Sequence, residues 1–339
     1  MPELVDELRE RCAQYVKVRD IAPLTGGSSS LTFTIDTDDG PIVLKVAPPG
    51  LAPVRNRDVL RQARLLRALA GRVRVPDVLF EDAGDPPFFA MSFVAGECVE
   101  PILDPSRDPA NFTRVRARAF DAIDVLAALH ELDPVAIGLG DEPVVGLGDE
   151  IDRWTRAFTT VPEEWQGNYE EVAAALHASA PAPLPAVVNH GDYRLGNTLC
   201  DGGRLTAVID WEIWSVGDPR VDLSWFCYFT DEARHPAASS TDKTGMPTRD
   251  EVVAAYGRAL PDLEWFDALT RYKEAAATAL ILKRVPRDSP GAPSRMIEAF
   301  PTLLEEARTQ KVTWATSPFI RTGPPHNRAA VVGRTTSHP

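Results

Sequence analysis

The sequence predicts an α+β chain of two unequal lobes, a small antiparallel β-sheet with one helix followed by a larger, mainly helical part. Three observations predict it. Within residues 1–95, short β-rich runs alternate with turn signals. From about residue 106 the apolar residues recur at helical spacing. The length of 339 residues suits two domains or one large bilobal unit. The lobes are placed at 1–95 and 96–310. Residues 311–339 carry few helix signals and many Pro, Gly, Thr and Ser, and are expected to form an extended or partly disordered tail.

Each element has its own reason. Residues 3–17 place Leu4, Val5, Leu8, Cys12 and Tyr15 on one side, as an amphipathic helix does. Ile21–Leu24 leads into a polar glycine loop, Thr25–Ser30. Leu31–Asp36 and Pro41–Val46 flank Asp38, Asp39 and Gly40, which predicts a β-hairpin. A helix is expected over 54–70, with Val54, Leu60, Ala63, Leu66 and Leu69 facing inward. Val78–Glu81 and Phe88–Val94, parted by Gly84–Pro87, complete the sheet. Phe112–Leu132 then reads as a long helix ending near His130. Further helical stretches fall at 150–178, 250–258, 262–284 and 293–310, and short strands at Ala186–Asn189 and Leu205–Asp210.

Bulk properties exclude several classes. A net charge of −13 argues against a nucleic-acid partner. Residues 1–95 carry −1 and residues 311–339 carry +4, which leaves −16 for the middle segment. So acidic a segment suits a cationic substrate, although solubility alone accounts for it. No apolar run reaches the ~18 residues of a membrane span, and the acidic start lacks the apolar stretch of a secretory signal. No membrane partner is expected. Cys12, Cys98, Cys200 and Cys227 form no paired motif and are expected as reduced thiols in a cytoplasmic protein.

The strongest signal runs from His190 through Gly191 and Asp192 to Asn197, followed by Ala207–Ile209 and then Asp210, Trp211 and Glu212. The spacing His-x-Asp-x-x-x-x-Asn is that of a phosphoryl-transfer loop. Such chemistry needs one carboxylate to orient the attacking hydroxyl and oxygen ligands to hold Mg2+ against the phosphates. Between the two halves, Thr198–Cys200, a turn at Asp201–Gly203 and a β-rich run predict a tight hairpin that returns Asp210 beside Asn197. Metal-dependent hydrolysis with His190 and Asp192 as ligands is the rival reading. It wants further histidines at ligand spacing, and those at 130, 177, 235, 326 and 338 do not supply them.

With these residues in view, the chain resembles the aminoglycoside phosphotransferase/choline kinase superfamily, whose fold is protein-kinase-like. The run Asp210-Trp211-Glu212, followed by Gly217, Asp218 and Asp222, looks like the phosphotransferase domains fused to acyl-CoA dehydrogenases and their free-standing bacterial relatives. The resemblance covers about 20–310 and implies an ATP-dependent small-molecule kinase acting on a hydroxylated substrate. It implies Asp192 as catalytic base, Asn197 and Asp210 as Mg2+ ligands, and Gly26, Gly27, Ser28, Ser29 and Ser30 as the loop over the ATP phosphates. Lys45 would hold the α- and β-phosphates. Met91 and Phe93 would belong to the hinge that receives adenine. Asp218 and Asp222 would brace the catalytic loop, and His130 would be structural.

One departure stands out. Where the family pairs the strand lysine with a glutamate on the following helix, this chain has Gln62, which supplies no charge. Asp58, one turn earlier, is a candidate replacement. Gln62 also motivates a second hypothesis, a nucleotide-binding regulator with little activity. The acceptor is open between an aminoglycoside-like compound and another hydroxylated metabolite. Glu212, Trp214 and Asp231 are candidates for lining its site, with a supporting role for Glu212 equally open.

Overall fold

A computed structural model describes residues 2–24, 30–106, 108–235, 238, 242–284 and 300–309. The first lobe is built on a five-stranded antiparallel sheet of β1 (Val18–Pro23), β2 (Leu31–Thr37), β3 (Gly40–Val46), β4 (Val78–Asp82) and β5 (Phe88–Ser92). Their order is β1-β2-β3-β5-β4. The expected hairpin is β2–β3, in register from Leu31 opposite Val46 to Thr37 opposite Gly40. One face of the sheet packs Phe33, Ile35, Leu44, Phe88 and Ala90 against Leu8 and Cys12 of helix α1 (Pro2–Cys12).

Three sequence readings in this lobe are corrected. β1 was not expected as a strand; it is an edge strand with Ile21 as its one buried residue, so it shows no alternation to read. α1 stops at Cys12 rather than running to residue 17. The β-branched Val16 and Val18 that follow favour extended chain. The helix expected over 54–70 starts later, as α2 (Val59–Leu69). Before it lies a 3-10 turn, Arg55–Arg57, and Val54 is half exposed instead of facing the core.

The second lobe is mainly helical: α3 (Pro109–Leu129), α4 (Leu147–Phe158), α5 (Tyr169–Ala178), α6 (Arg220–Cys227), α7 (Arg249–Tyr256) and α8 (Leu263–Arg284). Residues 300–309 are also helical. Two short strand groups support the site. β7 (Val187–Asn189) pairs antiparallel with β10 (Ser215–Gly217), which pairs parallel with β6 (Val144–Val145). β8 (Thr198–Asp201) and β9 (Arg204–Val208) form the hairpin read from the sequence, with Thr198 opposite Val208. The core of this lobe gathers Ile123, Leu126, Tyr193, Leu205, Phe226, Phe266 and Tyr272, all nearly or wholly out of solvent. The linker after the first lobe is tied to the hairpin, where Glu97 and Cys200 exchange backbone hydrogen bonds of 2.8 and 3.0 Å. Among the described residues no helix is long and apolar enough to cross a membrane. All four cysteines are free thiols, with Cys98 exposed and the others buried.

Candidate active site

The segment from His190 to Asn197 follows β7 and is fixed through its backbone. Gly191 has φ +87°, and a Cβ there would lie 2.6 Å from the Ile213 carbonyl oxygen, so only glycine fits the turn. The buried Asp222 carboxylate of α6 accepts from the amides of His190 at 2.5 Å and Gly191 at 2.8 Å. Burial works against ionisation of Asp222, but His130, 3.7 Å away, His190 and Lys273 outweigh it, and the net direction is below the usual carboxylate range. Asp222 therefore braces the loop directly. Asp218 acts one step away: it accepts from the Leu184 amide and from Nε and Nη2 of the buried Arg220.

His190 ties the two halves of the motif together. Its Nδ1 accepts from the Asp192 amide at 3.1 Å, which leaves Nε2–H to donate to the Ile209 carbonyl at 2.8 Å. The Ile209 amide in turn donates to the Asn197 carbonyl at 2.9 Å. The residue after Ile209 turns sharply, and Asp210 adopts φ +65°, the left-handed region that Asp tolerates better than most side chains.

The Asp192 carboxylate meets three donors. Trp225 Nε1 of α6 donates to Oδ1 at 2.7 Å, Arg194 Nε to Oδ1 at 3.3 Å, and Asn197 Nδ2 to Oδ2 at 2.8 Å. The side chain still keeps 28% of its surface exposed. Arg194 also reaches Glu100 at 3.3 Å, and Glu100 accepts from the Gly196 amide at 3.0 Å. Burial pushes the Glu100 carboxyl above its ordinary value, although Arg194 pulls the other way.

Lys45 of β3 reaches the same cleft from the first lobe. Its buried Nζ donates to Asp210 Oδ1 at 3.2 Å, Glu212 Oε1 at 3.3 Å and Ser30 Oγ at 3.2 Å. Ser30 itself donates to Glu212 Oε1 at 2.9 Å. Glu212 is thus the charged partner that Gln62 does not supply. Gln62 is buried beside the same small cavity as Lys45, Met91 and Asp210, but its amide nitrogen turns to the Asn56 carbonyl at 3.5 Å. The suggested compensation by Asp58 is overturned: Asp58 caps α2 by accepting from the Arg61 amide at 2.9 Å.

The other expectations fall as follows. Gly26, Gly27, Ser28 and Ser29 lie outside the described residues, and Ser30 alone represents that loop. Met91 lines the cavity by Lys45; Phe93 lies beyond the end of β5, half exposed. Trp214 does not face the cleft as an acceptor contact would. It is buried under the Arg61 guanidinium, 3.8 Å from its ring centre. Asp231 accepts from the Thr244 amide and hydroxyl, at 3.1 and 2.8 Å. His130 is structural as expected, with Nδ1 2.8 Å from the Tyr256 hydroxyl. Among the described residues no three His, Cys, Asp or Glu side chains gather as a metal cluster, so the hydrolase reading gains no ligand set. Trp225, Glu100 and Lys273 were missed in the sequence. Each reaches the loop from a distant helix or linker, and no local spacing announces them.

Comparisons with known proteins bear on the fold and the family. Acyl-CoA dehydrogenase family member 10 of Mus musculus is 26% identical over 282 residues, covering 76% of this chain and 26% of that protein. The chain spans about a quarter to a third of the length of the curated relatives of this kind that it matches. A putative aminoglycoside phosphotransferase from Ralstonia eutropha has the same fold, with TM-score 0.70, 21% identity and coverage of 91% and 98% of the two chains. So does the aminoglycoside phosphotransferase APH(2")-IIa in its complex with streptomycin and ATP, with TM-score 0.57, 19% identity and coverage of 88% and 97%. The sequence pattern described as "Phosphotransferase enzyme family" matches residues 20–269. Over residues 20–269, most of its length, this chain belongs to the phosphotransferase enzyme family.

Proposed function

We propose that this phosphotransferase moves the γ-phosphate of ATP to a hydroxyl of a small molecule, with Asp192 as the base that receives the hydroxyl proton. The observation that carries the reading is the posture of Asp192, fixed by three donors yet open over part of its surface. A carboxylate so held can orient an incoming hydroxyl without reorganising, which is most of what phosphoryl transfer asks of the protein. Lys45 would hold the α- and β-phosphates, and Glu212, 3.3 Å away, aims it into the cleft. Gly26, Gly27 and Ser28–Ser30 would lie over the phosphates. The segment around Met91 and Phe93 would receive adenine.

The donor chemistry fits Mg2+. Asn197 commits its amide nitrogen to Asp192, which leaves the amide oxygen for a ligand role. Asp210 gives Oδ1 to Lys45 while its side chain stays 42% exposed. One carboxylate and one amide oxygen suit a cation that takes its other ligands from phosphates and water. When bound, the ion would neutralise charge developing on the phosphates. The neighbour solved with streptomycin and ATP supports the nucleotide part of this reading. The acceptor is an aminoglycoside-like compound or another hydroxylated metabolite.

The second reading, a nucleotide-binding regulator, drew on Gln62. It loses ground because Glu212 supplies the missing charge. Purified protein with Mg-ATP and a panel of hydroxylated compounds should form ADP and a phosphorylated product. Asp192→Ala should lower the rate by about 10²–10⁴-fold while binding of Mg-ATP persists. Thermal stabilisation by Mg-ATP with no turnover on any compound would favour the regulator instead.

A further inference from the structure

Lys273 is a buried cation for which phosphoryl transfer has no evident use. It lies on α8, is 4% exposed, and sends its ammonium to the carbonyl of Gly191, the residue before the proposed base. The same nitrogen sits 3.7 Å from the centre of the Trp225 ring, with Trp154 on another side at 5.6 Å. Trp225 is the residue whose indole N–H holds Asp192 Oδ1 at 2.7 Å.

We infer that Lys273 and Trp225 form one bracket that positions Asp192, Lys273 fixing the backbone of the base and Trp225 its carboxylate. The inference rests on the phosphotransfer reading above. The peptide unit between Gly191 and Asp192 is pinned at both ends: its carbonyl accepts from Lys273 and its N–H donates to His190 Nδ1. The preceding amide donates to Asp222. The backbone at the base is therefore held on both sides, and the side chain accepts from an indole that Lys273 itself covers. A cation over the ring face draws electron density from the indole and strengthens its N–H as a donor. Burial pulls the Lys273 pKa down, but the carboxylates of Asp192, Glu150 and Asp222 pull it up, which offsets part of the cost of keeping the charge. Lys273 and Trp225 are positioning residues in this account. They act through Asp192 and need not touch the nucleotide.

The test compares wild type with Lys273→Met, Lys273→Arg and Trp225→Phe. Three quantities are measured: phosphate leaving Mg-ATP, to water or to an acceptor found in the panel; Mg-ATP affinity by calorimetry; and the Trp225 indole N–H resonance by NMR, assigned by its loss in Trp225→Phe. Lys273→Met and Trp225→Phe should slow phosphate transfer at least about tenfold, with Mg-ATP affinity within about threefold of wild type. The indole resonance should move in Lys273→Met, and Lys273→Arg should keep more activity than Lys273→Met. A Lys273→Met protein with wild-type rate and an unmoved indole resonance overturns the bracket. So does a loss of rate matched by equal loss of nucleotide binding and of fold in both Lys273→Met and Trp225→Phe, which would make the pair merely structural. If wild type transfers phosphate to nothing, the phosphotransfer reading is what fails, and the indole resonance still decides whether Lys273 controls Trp225.

Discussion

Lys45 brings a charge into a cleft where only 9% of its side chain meets solvent, beside an equally buried Glu212. A buried cation that loses its partner is costly, on the order of 3–5 kcal/mol where nothing compensates. Here Asp210 and Ser30 remain in reach, so the effect of Glu212→Gln should be smaller and fall on nucleotide handling. A double-mutant cycle between Lys45→Met and Glu212→Gln, read in Mg-ATP affinity, should show a coupling of about 1–3 kcal/mol. Additive losses would mean that the pair does not act together. Gln62→Glu alone should change affinity by less than about threefold, because Lys45 already has its charged partner. The residues of this site divide by how they are encoded. Asp192, Asn197 and Asp210 were legible because a loop and one tight hairpin fix their relation, and that information is local. The partner of Lys45 was misread because it depends on how two lobes meet. The sequence shows that Gln62 lacks a charge; it does not show that Glu212 crosses the cleft to Lys45.

The helices behind the loop carry the next level of support. Arg220 of α6 is fully buried, bonds both oxygens of Asp218, and donates to the Ala182 and Pro261 carbonyls at 2.7 and 3.0 Å. Its guanidinium also lies 4.4 Å from the Phe266 ring centre on α8. Arg220→Met should destabilise the fold by about 3–5 kcal/mol in urea melts, because Asp218 is left buried without its cation. On α8, Glu274 follows Lys273, and burial plus the Asp192 charge raise its carboxyl to about 7. An ordinary glutamate titrates near 4.5. The folded protein therefore holds this proton more tightly than the unfolded chain, so the stabilisation is complete below about pH 4.5 and lost as pH rises through about 7. Glu274→Gln should match wild type near pH 4.5 and be more stable above pH 7, by on the order of 3 kcal/mol. Parallel stability curves for the two proteins would refute that. At this scale the sequence was legible where periodicity runs long, as in α3, or where a turn is tight, as in β2–β3. It was silent for β6 and β10, whose two and three residues are too short to show a period.

At the scale of the molecule, the sheet lobe delivers a cation and the helical lobe delivers carboxylates to one cleft. The backbone pairing of Glu97 with Cys200 joins the linker to the hairpin that carries Asn197 and Asp210. The acidic middle segment seen in the sequence, 96–310, takes in the helical lobe. The acceptor itself was not legible, because no motif in the sequence encodes it. The central claim is γ-phosphate transfer to a hydroxyl, and labelled phosphate tests it most directly. ATP carrying 18O at the three non-bridging oxygens of the γ-phosphate should transfer them with the phosphoryl group to an acceptor hydroxyl, giving a phosphate ester with three labelled oxygens by mass spectrometry and unlabelled ADP. Asp192→Ala should form the labelled ester about 10²–10⁴-fold more slowly. An intact labelled ATP pool with every acceptor tried, or labelled ester formed equally well by Asp192→Ala, would contradict the account.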